Sequence, residues 1–275
     1  MNFEAILIPA AVMGSLGITF GLILSFAAKA FEVKVDERIG KARDLLPGVN
    51  CGACGESGCD SFAEALVEGR AKIDGCPVGG ESTAQDLADL MGVELTGTAA
   101  YTARVFCGGT ASLSRSKYEY SGLEDCAAAA ALHGGHLACG YGCLGFGNCA
   151  KACPFDAILM IDGLARIVEE KCKSCEKCVA ACPKKLIQMV PRGQNFSVAC
   201  MSKDKGPVTK KNCSVGCIGC TKCVKVCPRG AITMNGPLAR IDPLLCHNCG
   251  DCLPICPTGA IEKLLPNGRF KRATP

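Results

Sequence analysis

Cysteine is the residue of this chain most able to do chemistry: 24 occur among 275 residues, most of them in tight runs. Four segments end in a Cys-Pro step followed by a short apolar stretch: Cys139 to Ile158, Cys172 to Ile187, Cys217 to Ile232 and Cys246 to Ile261. Three of them share the spacing C-x2-C-x2-C-x3-C-P. Thiols this close on one loop are poorly placed for disulfides but bring several sulfur ligands onto one iron–sulfur cubane. Such thiols need a reducing compartment.

The four segments repeat at fixed offsets. Cys153 to Cys182 and Cys227 to Cys256 are each 29 residues apart, while Cys153 to Cys227 and Cys182 to Cys256 are each 74 apart. The pattern is two copies of an internally duplicated unit, and each copy resembles a bacterial two-cluster ferredoxin. In such a unit three cysteines of one loop and the pre-proline cysteine of the other hold each cubane. Three ligand sets follow directly: Cys172, Cys175, Cys178 and Cys153; Cys217, Cys220, Cys223 and Cys256; and Cys246, Cys249, Cys252 and Cys227. The remaining loop is irregular, because the position equivalent to Cys175 is Phe146. Cys139 is the expected substitute, giving Cys139, Cys143, Cys149 and Cys182 in a C-x3-C-x5-C arrangement.

Nearer the N-terminus, Cys51, Cys54, Cys59 and Cys76 form a further set, with Gly52, Gly55 and Gly58 freeing the loop backbone to wrap a cluster. Alone this group would also suit zinc; beside the repeats it reads as another [4Fe–4S] site. Five sets leave Cys107, Cys126, Cys200 and Cys213. Their number matches a sixth cubane, which is the favoured reading. Buried apolar thiols and a zinc site remain open alternatives on the sequence.

These ligands need elements to hold them. The first is apolar: no charged residue occurs from Ala5 to Ala28, a run long enough to span a bilayer. It lacks the basic leader of a signal peptide, although Ala28-Lys29-Ala30 resembles a cleavage site. Lys29, Lys34, Arg38, Lys41 and Arg43 follow, which predicts an outward N-terminus and a cytoplasmic cysteine-rich bulk. Phe62, Ala65, Leu66 and Ile73 predict a helix after the first cysteine group, and Ser82 to Gly92 reads as a second helix with Ser82 and Gln85 as a capping box. Strand–turn–strand pieces are expected over Met160 to Ile167 and Met234 to Ile241.

The expected fold class is α+β: an N-terminal transmembrane helix, a small helical [4Fe–4S] domain and two tandem 2[4Fe–4S] ferredoxin modules. The expected boundaries are an anchor at 1–30, the first cluster domain at 31–96, a connecting segment at 97–138, modules at 139–200 and 213–265 around a linker at 201–212, and a tail at 266–275.

This order of features, with LLPGVNCGACGESGCDSFAEAL, the Cys-Gly-Gly at Cys107 and YGCLGFGNCAKACPFDAI, resembles the B subunit of the Rnf complexes in its long, multi-cluster form. The first cysteine group alone also resembles the cluster domain of corrinoid iron–sulfur proteins. The Rnf resemblance implies an electron carrier that takes electrons from reduced ferredoxin and relays them to membrane subunits. NAD reduction and Na+ or H+ export would then occur elsewhere in an ion-translocating ferredoxin:NAD oxidoreductase. It implies membrane and peripheral partner subunits as well.

The chain itself has no Gly-rich dinucleotide fingerprint after a strand, and its apolar run has no ionisable residue to mark an ion path. No catalytic residue is expected. Lys184, Lys185, Lys203, Lys205, Lys210, Lys211, Lys222, Lys225 and Arg229 form a basic patch near the repeats, suited to steering an acidic ferredoxin. With a net charge of only +4 and no interleaved aromatics, nucleic acid is not an expected partner. A relay to a regulatory protein is the other reading in play.

Overall fold

The first feature of the fold is a 27-residue helix, α1 (Glu4–Ala30). The computed structural model describes residues 4–30, 36–95, 101–265 and 270–272, and the side chains of α1 largely from Val12 on. Those side chains stand exposed, among them Phe20, Leu22, Ile23, Leu24 and Phe26 at 59–77%. Among the described residues no helix is long and apolar enough to cross a membrane. The apolar run in the sequence begins earlier, at Ala5, in side chains outside that description.

Three short helices follow: α2 (Glu37–Leu45), α3 (Cys59–Val67) and α4 (Gly80–Met91). Asp36 caps α2 by accepting from the Arg38 backbone N–H at 2.9 Å. α3 turns Phe62, Ala63, Ala65 and Leu66 inward, where Phe62 and Leu66 meet Ala42, Leu46 and Leu87. α4 ends as expected at Gly92, in the left-handed conformation, but begins at Gly80 with no side-chain cap. The expected Ser82–Gln85 capping box does not form. Ser82 is already inside the first turn, and the Gln85 amide donates forward to Asp89 at 3.1 Å.

The first module comprises β1 (Tyr101–Val105), α5 (Cys126–Ala131), α6 (Asn148–Lys151), β2 (Ile158–Ile161), β3 (Leu164–Ile167), α7 (Lys177–Ala181) and β4 (Ile187–Pro191). β1 pairs antiparallel with β4, and β2 with β3 through an Asp162-Gly163 turn in which both residues have positive φ. The expected connecting segment thus differs from a linker: β1 is half of an outer strand pair. Ala103 and Val105 enter the same core as Ile158, Leu164, Ile167 and Leu186.

The second module repeats the plan with β5 (Phe196–Val198), α8 (Gly206–Asn212), α9 (Lys222–Val226), β6 (Ile232–Asn235), β7 (Leu238–Ile241), β8 (Ile261–Leu264) and β9 (Phe270–Arg272). β5 pairs antiparallel with β8, as β1 does with β4, and β6–β7 is the inner hairpin. β5 therefore belongs to the second module although its residues fall inside the span expected for the first. The expected linker is largely α8, and the expected tail supplies β9, which pairs with β8.

The two modules are fastened by buried charge. Arg166 on β3 donates two hydrogen bonds to Glu262 on β8, at 2.7 and 3.0 Å, with both side chains 3% exposed. Arg272 joins the same carboxylate, and the Arg166 guanidinium lies 3.9 Å over the Phe270 ring.

Candidate metal centres

The cysteines converge where short helices begin. Cys59 opens α3, and its backbone N–H donates to Asn50 Oδ1 at 2.8 Å, which closes the loop back on itself. Cys51, Cys54, Cys59 and Cys76 border one small cavity walled by Leu46 and Phe62. Burial pushes the Cys76 thiol up, while backbone N–H groups of Gly79 and Val78 directed at its sulfur act against that.

The loops of the two modules use the same device. Glu176 and Thr221 take the left-handed conformation just before α7 and α9, so that Cys178 and Cys223 sit in the first turn and point into the core. Cys153, Cys172, Cys175 and Cys178 enclose a cavity with Phe155, Ile158 and Ile167, and the Ala103 N–H points at the Cys172 sulfur from 3.5 Å. Cys217, Cys220, Cys223 and Cys256 enclose its counterpart with Val198 and Ile261. Burial, reinforced by the neighbouring thiols, pushes Cys178 up to about 12 and Cys223 up to about 11. Cys252 is pushed up to about 12 by burial and then by Cys246 and Cys249, and Cys227 packs into the same apolar cluster.

The irregular loop differs from the sequence expectation. Its cavity is bordered by Cys143, Cys149, Cys182 and Cys126, not Cys139. Burial, then Cys143, Cys182 and Cys126, push the Cys149 thiol up to about 12. Cys126 is held there by the start of α5. Asp125 accepts from the N–H groups of Ala127 and Ala128, both at 2.8 Å, and the Cys126 N–H donates to Asn148 Oδ1 at 2.9 Å. Asn148 precedes Cys149 on α6, so one side chain sets both thiols. Phe146 joins Tyr120 and His136 in an aromatic cluster with ring centroids 5.3 and 5.6 Å away. Cys139 lies outside that cavity, with the backbone N–H of Tyr141 directed at its sulfur.

Whether these residues fit clusters is a question of donor type and spacing. Every donor is sulfur, the soft ligand that iron–sulfur centres take. Among the described residues no group of three or more His, Cys, Asp or Glu side chains is close enough to hold a single metal ion. The thiols border small apolar cavities with space between them, as ligands to separate corners of a cubane would. The residues fit the group.

Family models agree with this placement. An Fe–S cluster family matches residues 46–78, and 4Fe-4S dicluster domain models match 140–183, 171–232 and 216–260. The B subunit of the Na(+)-translocating ferredoxin:NAD(+) oxidoreductase complex of Acetobacterium woodii is 47% identical over 240 residues, covering 87% of this chain and 72% of that protein. The chain belongs to the family of Rnf B subunits.

Two further members bear this out. The B subunit of the ion-translocating oxidoreductase complex of Methanosarcina acetivorans is 42% identical over 237 residues, covering 86% of this chain and 90% of that one. Its counterpart in the proton-translocating ferredoxin:NAD(+) oxidoreductase complex of Clostridium ljungdahlii is 40% identical over 237 residues, covering 86% and 84%. With its 4Fe-4S dicluster domains, the chain is an electron-transfer subunit of such a complex.

Proposed function

We propose that this chain is the electron-carrying subunit of an ion-translocating ferredoxin:NAD oxidoreductase, accepting electrons from reduced ferredoxin and delivering them to membrane subunits of the same complex. Five thiol sets hold its [4Fe–4S] clusters. Four are as the cysteine spacing predicts, and Cys126 replaces Cys139 in the set with Cys143, Cys149 and Cys182. A bound cubane supplies one-electron storage at a potential tuned by burial and by N–H groups directed at its sulfurs.

The observation that carries this reading is the succession of thiol sets. In the first module the set of Cys175 interlocks with the next through Cys153 and Cys182, each of which closes the other loop's cavity. In the second module Cys223 and Cys252 are neighbours in the same way. Entry is best placed at the second module. Cys220 and Cys249 are exposed there, beside exposed Lys222, Lys225 and Arg229, where a negatively charged carrier would be attracted.

At the other end α1 is assigned as a single-pass anchor, with the N-terminus outside and the modules on the cytoplasmic side. Its support is the uncharged run from Ala5 to Ala28, the exposed apolar side chains of α1 and the basic residues after it.

The test is anaerobic rapid mixing of the isolated, cluster-loaded chain with reduced ferredoxin. A fast second-order bleaching of the cluster absorbance, slowing by about tenfold or more between low and high salt, is expected for a steered encounter. A salt-independent rate removes the docking assignment, and no electron uptake removes the function.

A further inference from the structure

Four cysteines stand outside the five sets: Cys107, Cys139, Cys200 and Cys213. The duplication sorts them into two equivalent pairs. Cys107 lies two residues past Val105, the end of β1, and Cys200 lies two residues past Val198, the end of the equivalent strand β5. Cys139 precedes Cys143 by four residues, as Cys213 precedes Cys217. The pairs are 32 residues apart in the first module and 13 in the second, so the longer intervening segment hides the equivalence.

The fold brings both pairs to one place between the modules. The Ala138 N–H donates to Arg115 O at 2.7 Å, so Cys139 and Cys213 each adjoin a residue bonded to Arg115, and a Cβ on Gly108 would stand 3.2 Å from Ala199 O, which sets Cys107 beside Cys200. The chain is stitched together around them. Ser114 and Cys213 form an isolated antiparallel bridge, with the Arg115 N–H donating to Asn212 O at 3.0 Å and the Ser214 N–H to Leu113 O at 3.1 Å. Gly109 admits the close approach, since a Cβ there would stand 3.0 Å from the Cys213 sulfur and 2.3 Å from Ser114 Oγ.

Donors surround the sulfurs as they do in the five sets. The Ser202 N–H points at Cys200 from 3.4 Å, Ser114 Oγ lies 3.9 Å from the Cys213 sulfur, and the N–H groups of Gly109 and Tyr141 are directed at Cys107 and Cys139. Two more donors come from the neighbouring sets: the Cys143 N–H reaches the Cys107 sulfur, and the Cys217 N–H reaches that of Cys200.

We propose that Cys107, Cys139, Cys200 and Cys213 hold a sixth [4Fe–4S] cluster that joins the two modules, each module contributing one equivalent pair of ligands. This rests on the reading of the other five sets as cluster sites. It removes the gap in the row: without it the sets of the first module and those of the second share no ligand loop.

The experiment is iron and acid-labile sulfide analysis with EPR of the dithionite-reduced full chain, in wild type and in Cys139→Ala, Cys213→Ala and Cys149→Ala. Wild type should carry about 24 irons, and each variant about 20. The EPR component lost in Cys139→Ala should match that lost in Cys213→Ala and differ from that lost in Cys149→Ala. Wild type at about 20 irons overturns the sixth site while leaving the electron-carrying role standing, and this holds even where a variant fails to fold. Identical losses in Cys139→Ala and Cys149→Ala also overturn it, by returning Cys139 to the irregular loop. A wild-type count far below about 20 removes the cluster reading as a whole.

Discussion

Glu262 is the side chain whose loss should most disturb the relation between the modules. Its carboxylate takes two hydrogen bonds from Arg166, at 2.7 and 3.0 Å, and both side chains are 3% exposed. Arg272 shares the carboxylate, and Arg104, 2% exposed with no hydrogen-bond partner among the described residues at Nε, Nη1 or Nη2, has Glu169 and Glu262 as acidic neighbours. Burial already lowers the Arg104 pKa, and the two nearby carboxylates oppose that. Glu262→Gln preserves the volume but leaves buried guanidinium groups without a counter-charge. Breaking such a pair from one side costs about 3–5 kcal/mol. At about 1.4 kcal/mol per factor of ten, amide hydrogen exchange in β3 and β8 of the cluster-loaded chain should accelerate by about two to four orders of magnitude. Replacing both partners, as in Arg166→Met with Glu262→Leu, should recover much of that protection, because Arg272 is 12% exposed and can reach water while Arg104 keeps Glu169 nearby. Acceleration of less than about tenfold in Glu262→Gln would refute the argument that this pair fastens the modules.

Two further changes probe the loops directly. Gly145 (φ +83°) and Gly219 (φ +69°) occupy equivalent positions, and a Cβ on either would come within 2.7 Å of a backbone oxygen of the adjoining hairpin, Gly163 O or Pro237 O. Gly145→Ala and Gly219→Ala should each lose one cubane, about four irons, whereas Gly40→Ala on α2, with open space around it and no positive φ, should keep its iron. Full iron content in Gly219→Ala would count against the tight loop–hairpin contact. Cys126→Ala should likewise lose about four irons, and adding Phe146→Cys, at the position equivalent to Cys220, should restore them by rebuilding the regular loop. Failure of that second change to restore iron would mean that the first-module loop cannot adopt the second-module path.

Much of this arrangement is legible in the cysteine spacing because ferredoxin-type loops carry three ligands within a few residues and mark the fourth with proline. Cys153, Cys182, Cys227 and Cys256 can be assigned across long separations only because each precedes a Pro. The inner hairpins are legible from short apolar runs flanking Asp162-Gly163 and Gly236. The outer strands are not. β1 and β5 are short, buried on both faces and paired with partners 60 or more residues away, so no local alternation marks them. The segment before Cys139 reads as a connector for the same reason.

The placement of Cys126 is the most instructive departure, because the repeat contains a reason for it. In the second module the loops at Cys217 and Cys246 are complete, so Cys213 is surplus to both of their cubanes. Cys139 holds the same position in the first module, four residues before Cys143. A residue whose counterpart has no place in the regular loop is a poor candidate to replace that loop's missing ligand. The replacement must come from outside the repeat, and the segment between Cys107 and Cys139 contains one cysteine, Cys126. Asp125 and Asn148 then do locally what the C-x2-C spacing does elsewhere, fixing a helix start beside Cys149 so that a thiol distant in sequence arrives at the cavity. The insertion thus brings to that cavity a thiol that Phe146 cannot supply, and Cys139 stays outside it.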